Sequence, residues 1–106
     1  MKNQSGKAGE EHIARWLESQ GYEILARNFH SRSGEIDIVA QRPPYIAFVE
    51  VKARVENSLV SPFEAITPRK QRKIIATAQE YLRQHPSGLQ PRFDAAAVYL
   101  QEGAVV

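Results

Sequence analysis

The chain predicts a small α/β domain, a mixed sheet flanked by helices in the order helix, three strands, helix, strand. Three observations carry this reading. Apolar residues recur at helical spacing in residues 9–20 and 67–86. They alternate, or run continuously, in residues 22–29, 35–40, 45–53 and 92–100. The last strand follows a long helix, so it must return across that helix to join the sheet.

The first helix, 9–20, carries Ile13, Ala14 and Leu17 on one stripe with Trp16 at its edge, and Gly21 is placed to stop it. Glu10 lies on that same stripe. Favour from the helix dipole for an acid in the first turn would account for it, yet it is aimed at the core side. "YEILARNF" (22–29) reads as the first strand and "SRSG" (31–34) as a turn. In "EIDIVA" (35–40), Ile36, Ile38 and Ala40 should share one face and Glu35, Asp37 and Val39 the other. "QRPP" is a tight connection, because neither proline can donate to a ladder. "YIAFVEVKA" (45–53) completes an antiparallel meander. Residues 54–65 read as irregular. Thr67 is a good N-cap, Pro68 fits the first helical position, and Ile74, Ile75, Ala78, Tyr81 and Leu82 form the core stripe of the second helix. "RFDAAAVYL" (92–100) is the last strand. Residues 1–8 read as a flexible N-terminal leader and 9–106 as one domain, since 106 residues leave no room for a second core.

Composition excludes several function classes. The absence of cysteine removes disulfides, thiol nucleophiles and thiolate zinc sites, and fits a cytoplasmic location. No run approaches the ~20 apolar residues of a membrane helix, so no membrane association is expected. The balance of 14 basic against 12 acidic side chains is mild, so a nucleic-acid partner must be argued from clustering. The three histidines are scattered, and the four tyrosines fit core positions with polar tips.

Chemistry concentrates in "EIDIVAQRPPYIAFVEVKAR". Glu50 and Lys52 share a strand face, inside a strand that is otherwise apolar on both faces. Asp37 on the neighbouring strand can face either of them. Isolated charges in such a place are very costly unless paired or bound to a metal. An ion pair between Asp37 and Lys52 would need no function. A hard cation such as magnesium, held by the oxygens of Asp37 and Glu50, would equally explain the two acids.

Several stretches together resemble a known family: "GKAGEEHIARWLESQGYEILARNF", "GEIDIVA", "FVEVKAR", "EAITPRKQRKI" and "RFD". An acid on a helix, a strand bearing Asp, then E-x-K on the next strand is similar to the PD-(D/E)xK nuclease superfamily. The resemblance is closer still to the YraN family of small bacterial proteins, themselves similar to archaeal Holliday-junction resolvases. It implies a restriction-endonuclease-like αβββαβ core that hydrolyses phosphodiesters with Mg2+ or Mn2+. Asp37 and Glu50 would hold the metal, Glu10 and the Val51 carbonyl would complete the site, and Lys52 would be the catalytic lysine. The pattern departs at Ile36, where the superfamily name has proline, and at Val60, where the relatives usually carry glycine.

Arg69, Lys70, Arg72 and Lys73 are four basic residues out of five. Either they form a solvated helix face or they track phosphates at a helix start. Arg32 and Arg54 would bracket the site as further phosphate contacts. Asp94 reads as structural. The expected activity is therefore that of a nuclease on branched or structured DNA, for which resolvase-like action implies a homodimer. The alternative is a non-catalytic nucleic-acid-binding or adaptor module that keeps the fold.

Overall fold

The computed structural model describes residues 4–55, 66–101 and 104–105, and the side chains of residues 7–54 and 66–100 within them. The elements are α1 (Gln4–Ser19), β1 (Glu23–Ser31), β2 (Gly34–Arg42), β3 (Tyr45–Val55), α2 (Pro68–Gln84), β4 (Gln90–Gln101) and β5 (Ala104–Val105). One five-stranded sheet runs in the order β1-β2-β3-β4-β5. β1, β2 and β3 are antiparallel neighbours, and β4 lies parallel to β3, from Tyr45↔Gln90 to Val55↔Leu100. The expected α/β order thus holds, with one short extra strand at the end. Val60, and most of the stretch read as irregular, lie outside the described residues. Among the described residues no helix is long and apolar enough to cross a membrane.

Each helix covers one face of the sheet. Ile13, Ala14 and Leu17 of α1 bury Ile38, Ala40, Ala47, Val49 and Val51. On the other face Ala78 and Tyr81 of α2 bury Ile36, Val39, Ile46 and Phe48. β3 is consequently buried on both sides from Ile46 to Val51, as its continuous apolar run requires.

The helix ends follow local chemistry. Gly21, at φ +90, lets the Tyr22 N–H reach back to the Leu17 carbonyl at 3.0 Å and close α1. Thr67 caps α2, its hydroxyl accepting the Lys70 N–H at 3.2 Å, with Pro68 in the first helical position. The start of α1 differs from the sequence reading: the helix begins at Gln4, within the stretch taken as a leader. Polar residues without core periodicity can still propagate a helix that a buried turn has nucleated.

Three burial expectations change. Ile36 packs under α2 while Ile38 packs under α1, so these residues do not share a face. Alternation breaks between them, opposite a backbone irregularity in β1 where Asn28 adopts φ 54. Ile75 is 43% exposed, and Thr77, fully buried, takes its place in the α2 core by donating its hydroxyl to the Lys73 carbonyl at 2.7 Å. Of the tyrosines Tyr81 is buried, whereas Tyr45 and Tyr99 are exposed.

Candidate active site

β2 and β3 pair in register from Arg42↔Tyr45 to Ile38↔Val49, where the recorded ladder stops. The next residue of β2 is Asp37. Its carboxylate accepts the backbone N–H of Val51 at 2.7 Å. A side chain therefore does the work a carbonyl would do in a continued ladder, and the two strands part at this point. Within a strand the N–H and C=O of one residue point to the same edge, so the Val51 carbonyl also faces this opening. Asp37 is 3% exposed, and a carboxylate can accept several hydrogen bonds at once, the Val51 N–H being one of its partners.

Glu50 and Lys52 share the α2-facing side of β3, as their spacing predicts. Glu50 is buried, and its Oε1 lies 3.2 Å from Lys52 Nζ and 3.6 Å from Lys70 Nζ. Lys70 comes from the first turn of α2, so two ammonium groups from two elements converge on one carboxylate. Among the described residues Lys52 forms its ion pair with Glu50, and the Asp37–Lys52 pair considered from the sequence is not the one formed.

Glu10 approaches from the opposite face. It is the seventh residue of α1, so the first-turn dipole does not account for it. It is 2% exposed, and its Oε1 accepts a hydrogen bond from Asn28 Nδ2 at 3.0 Å. Gly9 makes this approach close: a Cβ there would stand 2.7 Å from Val98 Cγ2, within the layer beneath α1. Asn28 was not singled out from the sequence. Its signal was a residue that is rare in strands and tolerant of left-handed backbone, set within "ILARNF".

The acids do not collapse into one cluster. Among the described residues no group of three or more Asp, Glu, His or Cys side chains is close enough to hold a metal. Asp37 meets β3 at Val51, the residue after Glu50, so Asp37, Glu50 and the Val51 carbonyl offer oxygen donors only. Magnesium is typically held by one or two carboxylates, with waters and phosphate filling the rest, so the chemistry of this set fits it.

The predicted phosphate contacts divide into three places. Arg32, Arg69, Arg72 and Lys73 line an open groove of about 480 Å3 together with Ser33 and Ala76. Lys70 turns to Glu50 instead. Arg54 bends back on its own strand and donates to the Ala53 carbonyl at 2.9 Å. An apolar cleft of about 280 Å3, lined by Phe48, Ile66, Ile74, Ile75 and Phe93, opens beside Glu50. Away from the site, Glu35 pairs with His30 at 3.2 Å, whereas Asp94 lines the same cleft as Glu50 and accepts from Arg92 Nε at 2.8 Å.

Comparison with known proteins extends over most of the chain. The crystal structure of protein of unknown function AF1548 superposes with a TM-score of 0.50 and 20% identity, over 90% of this chain and 48% of that one. The chain thus spans about half of that protein, and the likeness is one of fold. In sequence it is 47% identical to UPF0102 protein RPA0323 of Rhodopseudomonas palustris over 96 residues, covering 89% of this chain and 72% of the relative. It is 40% identical to a UPF0102 protein of Syntrophomonas wolfei over 104 residues, covering 97% and 90%. A UPF0102 protein of Desulfosudis oleivorans is 42% identical over 106 residues, covering 99% and 86%. The profile described as uncharacterised protein family UPF0102 matches residues 9–98, and the chain belongs to that family.

Proposed function

We propose that this protein is a metal-dependent nuclease of the PD-(D/E)xK kind, hydrolysing phosphodiesters in branched or structured DNA. The observation that carries the reading is the Asp37–Val51 hydrogen bond beside Glu50 and Lys52. It supports the reading because it joins Asp37 to β3 at the residue between Glu50 and Lys52.

In this reading Asp37, Glu50 and the Val51 carbonyl hold Mg2+ or Mn2+. The ion supplies Lewis-acid polarisation of a phosphoryl oxygen when bound. Lys52 holds the attacking water in line and donates to a non-bridging oxygen as negative charge grows there. Lys70 steadies the Glu50 carboxylate and adds positive potential on the phosphate side. Glu10, held by Asn28, supports the opening from the α1 face. The Glu50 carboxylate is itself buried, which strengthens its contacts with the two ammonium groups.

The test is cleavage of a labelled four-way junction and of matched linear duplex with Mg2+ or Mn2+, alongside metal-binding calorimetry. Lys52→Ala should lower the cleavage rate by about 10²–10³-fold, the usual cost of losing one preorganised charge-stabilising donor, while metal still binds. Asp37→Asn and Glu50→Gln should abolish metal binding. Metal binding that neither substitution alters would refute the assignment.

One observation favours a second reading, an adaptor that binds nucleic acid without cutting it. Glu50 is already neutralised by two ammonium groups, an arrangement stable without any metal. Under that reading Asp37→Asn leaves all measurable activity unchanged.

A further inference from the structure

We propose that the groove between the β1–β2 turn and the first two turns of α2 anchors nucleic-acid phosphates at a place separate from the Glu50–Lys52 centre. The nuclease reading bears only on what the anchored strand is delivered to; the binding itself stands without it.

The groove is built from two elements. Arg32 and Ser33 come from the turn, and Arg69, Arg72, Lys73 and Ala76 from α2. Turn and helix are held together closely: a Cβ on Gly34, at φ +150, would lie 3.4 Å from Thr77 Oγ1 and 3.9 Å from Lys73 Cβ. All four cations are exposed. Among the described residues none of them has a carboxylate within salt-bridge distance, unlike Arg15, Arg27, Arg83 and Arg92. Glu80 lies close enough to interact with Arg32 and is paired with Arg83. Among the described residues these four cations have no paired carboxylate and the first turn of α2 contains no acid, so they add up to a positive field along the groove. The helix dipole adds to that field.

The occupant follows from where the groove lies. At 100° per residue, Arg69, Arg72, Lys73 and Ala76 occupy one flank of α2, and Lys70, Gln71, Ile74 and Ile75 the other. The second flank borders Glu50, through the Lys70 ion pair and the apolar cleft. One polyanion laid across the start of α2 would therefore meet the anchor first and the Glu50–Lys52 pair on the far side. Three of the four cations are arginines, whose planar fork suits phosphate. The helix is about 10–12 Å wide with its side chains. Phosphates along one strand of a duplex advance about 3.4 Å along the duplex axis per nucleotide, so with that axis laid across α2 the anchored phosphates should lie about three nucleotides from the one at Glu50 and Lys52. The groove offers no base-reading feature, so binding should follow the backbone and not the sequence.

The test is fluorescence anisotropy of a labelled four-way junction in EDTA, titrated with salt from about 50 to 200 mM. Arg72→Ala with Lys73→Ala should lower the log–log salt slope by about 2, one unit for each lost phosphate contact. Arg15→Ala with Arg83→Ala, an equal loss of charge elsewhere, should leave the slope nearly unchanged. Equal slope losses in the groove and control variants would overturn the anchor, as would no junction binding by the native chain. Groove-dependent capture only of vesicles containing phosphatidylserine would also overturn it. If the native chain binds through the groove but cuts no DNA with Mg2+, the nuclease reading fails and the anchor stands. If it cuts and the groove variants bind normally, the anchor fails alone.

Discussion

Asp37 accepts the Val51 N–H at 2.7 Å, across two strands that pair regularly only as far as Ile38↔Val49. A buried acid thus replaces a backbone carbonyl as the partner of a buried amide. Charge and hydrogen bonding at this position are separable. Asparagine can accept the same bond with its side-chain oxygen, whereas alanine leaves a buried N–H unsatisfied. Asp37→Ala should lose about 1–3 kcal/mol of stability in urea denaturation and Asp37→Asn distinctly less. Any cleavage should vanish in both.

Gly9 of α1 packs against Val98 of β4. A methyl group there would stand 2.7 Å from Val98 Cγ2, and valine has little rotamer freedom with which to yield. Gly9→Ala should therefore destabilise by about 1–3 kcal/mol, despite alanine's better helix propensity. Val98→Ala in the same chain should recover part of that loss, which a double-mutant cycle in urea would measure.

Asn28 combines a left-handed backbone with the hydrogen bond to Glu10. Glycine keeps the first and loses the second; alanine loses both. Left-handed backbone costs a non-glycine residue roughly 1–2 kcal/mol, so Asn28→Ala should be less stable than Asn28→Gly by about that amount. Equal stabilities would show that the backbone at residue 28 relaxes.

Tyr81 lies within 5.2 Å of the Phe29 ring and 5.9 Å of the Phe48 ring, and burial pushes its phenol above the ordinary value of 10.0. The folded state thus favours the neutral form, while the unfolded chain ionises near the ordinary value. Its contribution is fully present below about pH 10 and is lost as pH rises through the raised folded value. In alkaline titrations followed by circular dichroism, Tyr81→Phe should remove this component and unfold at higher pH.

Much of the architecture was legible because it depends on short-range rules. The Thr67–Pro68 start of α2, the Gly21 stop and the shared face of Glu50 and Lys52 each follow from a local backbone preference. Ile36 was misplaced because strict alternation assumes uninterrupted strand geometry, and the break lies opposite a left-handed residue on another strand. Ile75 and Thr77 exchanged places because a helical wheel ranks apolarity. A threonine that bonds its hydroxyl to its own helix can be buried at little cost.

The sequence by itself determined which elements form, in what order, and that Asp37, Glu50 and Lys52 belong to neighbouring strands. Those are consequences of periods of two and 3.6 residues, which act over a few positions. Only the tertiary structure decided which charges meet. α2 returns across the sheet with Lys70 on one flank and Arg69, Arg72 and Lys73 on the other, so a single basic run becomes an ion-pair partner and a separate groove. α1 brings Glu10 to Asn28 across 18 residues of sequence. Ion pairs and hydrogen bonds depend on distance in space, and the path of the chain between elements is what sets that distance.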